Sequence, residues 1–230
     1  TRFRVNAFDM KGNTVYTQRI LKTVLERFVD LELNLYDLNR AADTITKYYH
    51  DHGYTLAKAI IPAQKVVKGV VNVQIIEGRF GKILVTGNQR FATKLINDRT
   101  ALLEPGVLVR TGKLENNLLL LNDLPGLRAK VVLEPGAQFG TSDAEIQISE
   151  KLIDGNVTAN NFGREETGQR KADISLNINS PFGWGEQFAL SVSIAERRLL
   201  RYWKVGYSAP LNMQGTRLIL GRSKAEFEVS

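Results

Sequence analysis

FDMKGNTVYTQRIL at residues 8–21 matches ILVTGNQRFATKLI at residues 83–96 in the order of its residue types. Each stretch has an apolar run, a Gly-Asn pair, an aromatic residue and then a helical pattern. Glycine and asparagine both tolerate positive φ, so Gly12, Asn13, Gly87 and Asn88 are predicted to form two structural turns from strand to helix. The chain therefore contains one structural unit twice.

The same order of elements surrounds each turn. In the first copy, apolar residues at helical spacing predict two helices, the second with a capped start at Asn34 and Asp37 and an apolar face that includes Leu35. GYTLAKAIIPAQ and VVNVQIIEG then predict an antiparallel hairpin. The second copy repeats strand, helix, helix, strand, strand and ends in LRAKVVLEP and DAEIQISEK. The unit is a small α+β domain, and its landmarks, such as Glu77 and Glu150, recur in both copies.

Each copy is expected to form a three-stranded sheet with a helix pair on one face. Three strands leave two edges, and the unpaired N–H and C=O groups of an edge strand can bind an extended foreign chain. The alternative is that lysine and arginine on these strands only protect the edges from aggregation. The predicted partner-binding residues are Leu56, Ala57, Lys58, Ala59, Ile60, Ile61, Arg128, Ala129, Lys130, Val131 and Val132.

From Asp154 onward the pattern changes to a series of strands with apolar and polar residues in alternation. Such strands are typical of a membrane β-barrel, with a soluble β-sandwich as the alternative. A weaker first strand spans 155–162, and a fifth strand at 216–229 is predicted to place Ile219, Ala225, Phe227 and Val229 on its apolar side. The predicted lipid-facing residues are Ile174, Leu176, Ile178, Phe188, Leu190, Val192, Ile194, Trp203, Val205 and Tyr207.

Composition narrows the possible function classes. The chain has 31 Lys and Arg against 24 Asp and Glu, a net charge of +7, and no cysteine. The positive charge is spread along the chain, unlike the basic block typical of nucleic-acid binding. No apolar run approaches the roughly 20 residues of a membrane helix, and the N-terminus lacks a signal-peptide core. Any contact with a bilayer is therefore expected through strands.

Few residues suggest catalysis or metal binding. His50 and His52 have a spacing that points two side chains apart on a helix, with no third ligand nearby. Glu165 and Glu166 lie in a polar turn that gives no reason for their pKa values to separate. The sequence predicts no catalytic residue, no metal site and no cofactor.

Several motifs resemble those of the two-partner secretion transporters of Gram-negative outer membranes, the TpsB family typified by the filamentous haemagglutinin and haemolysin exporters. The helix leading into GYTLAKAIIPAQ is the most specific of them, and Asn160 stands where the family more often has Asp. Together they touch nearly the whole chain. The matching stretches are KGNT at 11–14, ITKYYHDHGYTLAKAIIPAQ at 45–64, IIEGRFGKILVTGN at 75–88, NNFGREETGQRKADISLNINSPFGWGE at 160–186 and YSAPLN at 207–212.

This resemblance implies a fold of the α+β class with two tandem POTRA domains, at 1–78 and 79–151, each with the order β-α-α-β-β. The first strands of a transmembrane β-barrel, about five, would follow at 152–230. The POTRA domains would lie in the periplasm and bind the N-terminal secretion domain of an exported TpsA-type partner, an adhesin, haemolysin or toxin. Most of the family's barrel is absent, so the chain is expected to bind without transporting.

Two other functions remain open at this stage. The same superfamily includes outer-membrane assembly factors that insert other barrels, and two POTRA units favour export over assembly by analogy only. A soluble nucleic-acid protein is supported by net charge alone. If the barrel assignment holds, outer-membrane lipid is a partner, and an isolated chain is expected to cover its apolar strands with detergent or by self-association.

Overall fold

The computed structural model describes residues 2–101, 103–162, 169–196 and 200–228. Glu165, Glu166 and Val229 lie outside the described residues. The chain divides into two compact units. Unit 1 comprises Thr1–Leu84, Leu103–Asn116 and Val132–Glu145, and unit 2 comprises Val85–Leu102, Asn117–Val131 and Ile146–Ser230.

The first repeat has the predicted order of helices and strands, with one addition. Parallel pairing joins β2 to β5 and antiparallel pairing joins β4 to β5, which gives the sheet order β2-β5-β4. Strands β1 and β3 form a further two-stranded sheet that the sequence did not predict, since each has only three residues. The elements are β1 (Phe3–Val5), β2 (Ala7–Lys11), α1 (Gln18–Leu25), a 3₁₀ turn (Glu26–Phe28), β3 (Leu31–Leu33), α2 (Leu35–Asp51), β4 (Lys58–Ile60) and β5 (Val70–Ile76).

The core of this repeat is formed where both helices cover one face of the sheet. Helix α2 begins with the expected capping box, in which the Asn34 side chain accepts from the Asp37 backbone and the Asp37 side chain accepts from the Asn34 backbone. Leu35 was predicted on the buried face but is 65% exposed; it is the first residue of α2. The buried side chains include Phe8, Met10, Leu21, Leu25, Leu38, Ile45, Tyr49, Val71 and Val73.

The second repeat forms another three-stranded sheet, in the order β6-β8-β7. Its first helix is short and ends at Thr100. Ile96, Leu121 and Ile146 are among its fully buried side chains. The elements are β6 (Arg79–Thr86), α3 (Thr93–Thr100), α4 (Thr111–Asn122), β7 (Leu127–Pro135) and β8 (Thr141–Glu150).

A glutamate at the end of each repeat binds the turn near its beginning. The buried Glu77 carboxylate accepts hydrogen bonds from the backbone N–H of Thr14 at 2.6 Å and of Val15 at 2.8 Å, and from the Tyr49 hydroxyl at 2.9 Å. In the second copy the Glu150 carboxylate accepts from three consecutive backbone N–H groups, those of residues 89, 90 and 91. The carboxylate thus satisfies N–H groups that precede the first helix and would otherwise lack partners.

The glycine and asparagine of each turn have different tasks. Gly12 has φ of +85°, and a Cβ there would lie 2.3 Å from the Ile75 carbonyl oxygen. Gly87 repeats this geometry with φ of +86°. Neither Asn13 nor Asn88 has positive φ; their side chains instead donate to the Tyr16 carbonyl at 2.7 Å and to the Thr93 hydroxyl at 3.3 Å. Only the glycines are therefore required by backbone geometry.

The last part of the chain forms one sheet of five antiparallel strands in chain order, as predicted. The strand predicted over 155–162 begins and ends two residues earlier. Each strand pairs with the next through a continuous register. The strands are β9 (Ile153–Asn160), β10 (Lys171–Asn179), β11 (Gln187–Ala195), β12 (Leu200–Pro210) and β13 (Arg217–Phe227).

We predict that Glu77→Gln destabilises the first repeat by about 2 kcal/mol, because a neutral amide oxygen accepts the bonds from Thr14, Val15 and Tyr49 more weakly than a carboxylate, and its N–H2 group would meet the Thr14 hydroxyl that now donates to the second oxygen. Hydrogen exchange measured over β2 and β5 should become faster. Glu32→Gln on β3 is the matched control, since this side chain is exposed. Equal exchange rates in the two variants would contradict the structural role of Glu77.

The stability of the first repeat should depend on pH, because the pKa of Glu77 differs between the folded and unfolded states. Burial by itself raises the pKa of Glu77, but hydrogen bonds from Thr14, Val15 and Tyr49 outweigh it and hold the pKa below the ordinary 4.5. A lowered folded-state pKa adds stability above the unfolded-state pKa, and this stability is lost as the pH falls through the folded-state value. The free energy of unfolding should therefore fall more steeply below about pH 4.5 in the parent than in Glu77→Gln.

Candidate functional site

The first predicted partner-binding edge, at 56–61, is shorter than expected and is occupied by the protein's own side chains. Strand β4 spans only Lys58–Ile60, and Leu56 lies in a turn before it. The Ala59 N–H donates to the Thr46 hydroxyl at 3.0 Å, and His50 Nε2 lies 2.8 Å from the Ala57 carbonyl oxygen. Since Thr46 and His50 belong to α2, this helix covers the rim that was expected to be free. Ile61 lies beyond the strand.

The second predicted edge is covered only at its start. Ala129 on β7 is bound by the Asn122 side chain, which accepts from the Ala129 N–H at 3.0 Å and donates to the Ala129 carbonyl at 3.2 Å. Backbone groups of an edge strand alternate in direction, so Arg128 and Lys130 turn theirs toward β8 while Val131 turns its own outward. In the described part of the chain, nothing beyond β8 bonds β7 after Ala129. The rim is open from Val131 onward.

Two glutamine side chains act in the same way elsewhere in the first repeat. Gln18 donates to the Met10 carbonyl at 2.5 Å and accepts from the Met10 N–H at 3.4 Å, which covers the rim of β2. Gln64 accepts from the Asn72 N–H at 2.7 Å and donates to the Asn72 carbonyl at 2.8 Å, where β4 no longer reaches β5. A carboxamide places an N–H2 donor group next to a carbonyl acceptor, so it can bond both the N–H and the C=O of one residue, as a neighbouring strand does. We call Gln18, Gln64 and Asn122 the rim amides.

Sequence reasoning missed the rim amides and Thr46. Each has an ordinary polar residue type outside the strand that it covers, and no periodic pattern distinguishes it from a solvated residue. Lys58 and Lys130, which protect the edges by their charge in the alternative interpretation, are both exposed, and the rim groups beside them are bonded by Thr46 and Asn122 instead. The sequence offers only an indirect indication of such a residue, namely an Asn or Gln that lies a few residues before or after an edge strand.

The ten residues predicted to face lipid lie on one face of the last sheet. The register places Ile174 beside Val192, Leu190 beside Val205, and Phe188 beside Tyr207. The Phe188 and Tyr207 rings are 5.0 Å apart between centroids. Seven of the ten side chains are 36–47% exposed, and Ile178, Val192 and Tyr207 are half-buried. The interior of a soluble β-sandwich would bury such residues, so these strands do not form one.

The opposite face of this sheet is polar and hydrogen-bonded within itself. Asn177 and Asn179 donate to the Asp154 carboxylate at 2.9 and 2.6 Å, and the Ser193 hydroxyl donates to Asp173 at 2.5 Å. These bonds run across neighbouring strands. Alternation of a polar face and an apolar face is the pattern of a membrane β-barrel, with the polar face toward the lumen.

The prediction for the fifth strand is wrong. Tyr207 pairs with Leu220, and Trp203 pairs with Lys224. Residues with even numbers on β13 therefore share the apolar face, while Ile219 and Ala225 belong to the polar face. Pairing to β12 fixed this register, whereas the residue types of β13 alone indicated the opposite face.

The histidines predicted not to bind metal both contact backbone carbonyls: His50 as described above, and His52 through Nδ1, 2.7 Å from the Tyr48 carbonyl oxygen. Within the described residues, no group of His, Cys, Asp or Glu side chains is arranged to hold a metal ion. A search of the same residues found no helix with the length and hydropathy needed to span a membrane.

Known proteins combine the two parts of this chain, the duplicated α+β unit and the antiparallel sheet that follows it. The sequence model of the ShlB-type POTRA domain matches residues 3–78, and that of the haemolysin secretion/activation proteins ShlB/FhaC/HecB matches residues 140–224. Over these two ranges the chain is similar to the TpsB two-partner secretion transporters. Relatives of the chain are named as outer membrane transporters.

Individual relatives agree with this assignment. The heme/hemopexin transporter protein HuxB of Haemophilus influenzae strain 86-028NP is 26% identical over 93% of the chain, and the outer membrane transporter CdiB of Dickeya dadantii is 24% identical over 90%. The structure of CdiB from Escherichia coli has the same fold, with a TM-score of 0.72, 22% identity and 91% of the chain covered. The chain spans 38%, 39% and 40% of these three proteins.

We predict that the two faces of the last sheet can be told apart by thiol labelling, for which the absence of cysteine gives a clean background. In a bilayer, Leu190→Cys should react with a maleimide that partitions into lipid. The adjacent Ser191→Cys should react with a charged, water-soluble methanethiosulfonate, because neighbouring residues of a strand point to opposite faces. Equal reactivity of the two positions toward the aqueous reagent would contradict the assignment.

Proposed function

We propose that this chain is the part of an outer-membrane secretion transporter that receives an exported protein and begins the pore. Residues 1–78 and 79–151 are the two POTRA domains, and residues 152–230 are the first strands of the membrane barrel, with their apolar face against lipid. The domains bind the secretion domain of an extended partner and deliver it to the barrel. The role is non-enzymatic. The observation that carries this proposal is the open backbone rim of β7.

Strand addition is the binding mode that fits this rim. The outward N–H and C=O groups from Val131 onward lie beside the exposed side chains of Lys130 and Val132. A foreign segment in extended conformation would satisfy these groups through main-chain hydrogen bonds, and its alternate side chains would meet those of β7. The first repeat is less suited, because Thr46, His50, Gln18 and Gln64 already bond its rims.

The relatives indicate the class of partner. HuxB is named as a transporter of heme/hemopexin, and the matching family is named for haemolysin secretion and activation. We therefore assign to this chain a TpsA-type exported partner that is recognised through its N-terminal secretion domain. The cationic side chains of Arg128 and Lys130 on β7 favour a segment that carries acidic residues.

Proline at the rim tests the binding mode. Val131→Pro removes an outward N–H without interrupting the bonds between β7 and β8, so we expect partner affinity to fall about tenfold. Proline is tolerated at such edge positions. The measurement is equilibrium binding of the partner's secretion domain to the transporter. Val131→Ala is the control, since it keeps the N–H, and equal affinity in the two variants would discard strand addition at β7.

Removal of a rim amide should have the opposite effect. Asn122→Ala frees the N–H and C=O of Ala129 and lengthens the open rim by one pair of groups, so we expect affinity for the partner to rise severalfold. Gln18→Ala on β2 is the matched control and should leave affinity unchanged. A gain in Gln18→Ala without one in Asn122→Ala would move the binding edge to the first repeat.

A further inference from the structure

Three cations lie on the apolar face of the last sheet. The register that corrects β13 brings Arg222 beside Val205 and Lys224 beside Trp203, while Arg201 faces Glu226. All three cations are solvent-exposed. Arg222 and Lys224 are two residues apart on β13, and Lys224 is the diagonal neighbour of Arg201 on β12, so each of these pairs is separated by about 7 Å. The three cations together span about 15 Å. We call Arg201, Arg222 and Lys224 the outward cations.

These cations begin where the apolar residues of the face end. On β10 and β11 apolar residues occupy the face along nearly the whole strand, from Ala172 to Ile178 and from Phe188 to Ile194. On β13 only Leu218 and Leu220 remain apolar, at the opposite end of the strand from Lys224. Barrel strands tilt by about 35–45°, so a level apolar band crosses successive strands at shifted positions. The apolar residues end at Ile194 near the end of β11 but already at Leu220 on β13, and this shift places the cations just outside the apolar band.

The order of the strands tells which side of the membrane they occupy. The chain leaves the second POTRA domain, in the periplasm, and enters β9 at Ile153. Ile153 pairs with Ile178, so the turns after Asn179 and after Pro210 belong to the periplasmic end of the antiparallel sheet. Arg201 and Lys224 lie toward the other end, which is the outer surface.

We propose that the outward cations bind the phosphate groups of an anionic lipid headgroup in the outer leaflet. This inference rests on the proposed function, since it requires the apolar face to contact lipid. Long basic side chains at the margin of an apolar band extend to the headgroup level, and a nearby tryptophan such as Trp203 is typical of that level. Exposed cations on a lipid-facing surface gain from anionic lipid about as juxtamembrane basic residues do.

Within the described strand β13, Glu226 is the acidic residue on the same face. The Lys224 ammonium lies 2.5 Å from a Glu226 carboxylate oxygen, and both side chains are more than half exposed. The three cations and this carboxylate leave a local charge of +2, which still favours phosphate. Glu226 would compete with the headgroup for Lys224.

The test uses the full transporter reconstituted in phosphatidylcholine nanodiscs with and without phosphatidylglycerol, and native mass spectrometry counts the anionic lipids retained. Neutralising all three with Arg201→Gln, Arg222→Gln and Lys224→Gln should weaken retention about a hundredfold, and each single change about fivefold. Glu226→Gln should strengthen it. The matched control removes three exposed cations of the first repeat, through Arg19→Gln, Lys22→Gln and Arg40→Gln, and should change nothing.

Further variants and controls distinguish loss of lipid binding from misfolding and from binding of free phosphate. Arg201→Lys with Arg222→Lys keeps the charge and should keep the lipid, which guards against a variant that merely folds badly. Unchanged retention in the triple variant would overturn the proposal, as would displacement of the lipid by inorganic phosphate at equal concentration. Labelling of Leu190→Cys from the lipid together with unchanged retention would refute only this inference. Failure of that labelling would refute the membrane assignment as well.

Discussion

Satisfaction of backbone N–H groups at the turn that opens each repeat is the constraint on which the rest of both α+β domains depends. A turn from strand to helix leaves several donors without intrahelical partners, and here a single carboxylate accepts them. Glu77 follows β5 and Glu150 is the last residue of β8, so each glutamate ties the end of a domain to its beginning. The glycine of the turn makes this possible, because a side chain there would meet the carbonyl of Ile75 or Ile148.

The same need for partners governs the sheet edges and, through them, the proposed function. A three-stranded sheet has two rims, and an open rim is both a binding surface and an aggregation hazard. Rim amides and Thr46 cover three places in the first repeat and one in the second. Among the described residues, the part of β7 from Val131 onward has no such partner. We propose that an extended partner binds at this rim, where lysine and arginine reduce unspecific pairing.

In the last sheet, the pairing register between strands decides which face each side chain lies on. A shift by one residue exchanges the faces of a strand, so pairing to β12 decides whether the cations of β13 face lipid or lumen. Because Trp203 pairs with Lys224, the charged half of β13 lies beside the apolar band. The polar face is tied together by Asp154 and Asp173 with their amide and hydroxyl partners, which holds the two faces in this alternation.

The sequence by itself determined the fold class, the duplicated order of elements, the two turn glycines and the faces of β10, β11 and β12. Those features follow from local rules: helical or alternating periodicity, glycine at positive φ, and a capping pattern such as that of Asn34 and Asp37. Only the tertiary structure decided which rims are open, because Thr46, His50 and Asn122 reach strands that local patterns do not connect to them. The tertiary structure also decided which residues of β13 face lipid. Both its odd and its even positions contain apolar and charged residues, so only the pairing with β12 distinguishes the two faces.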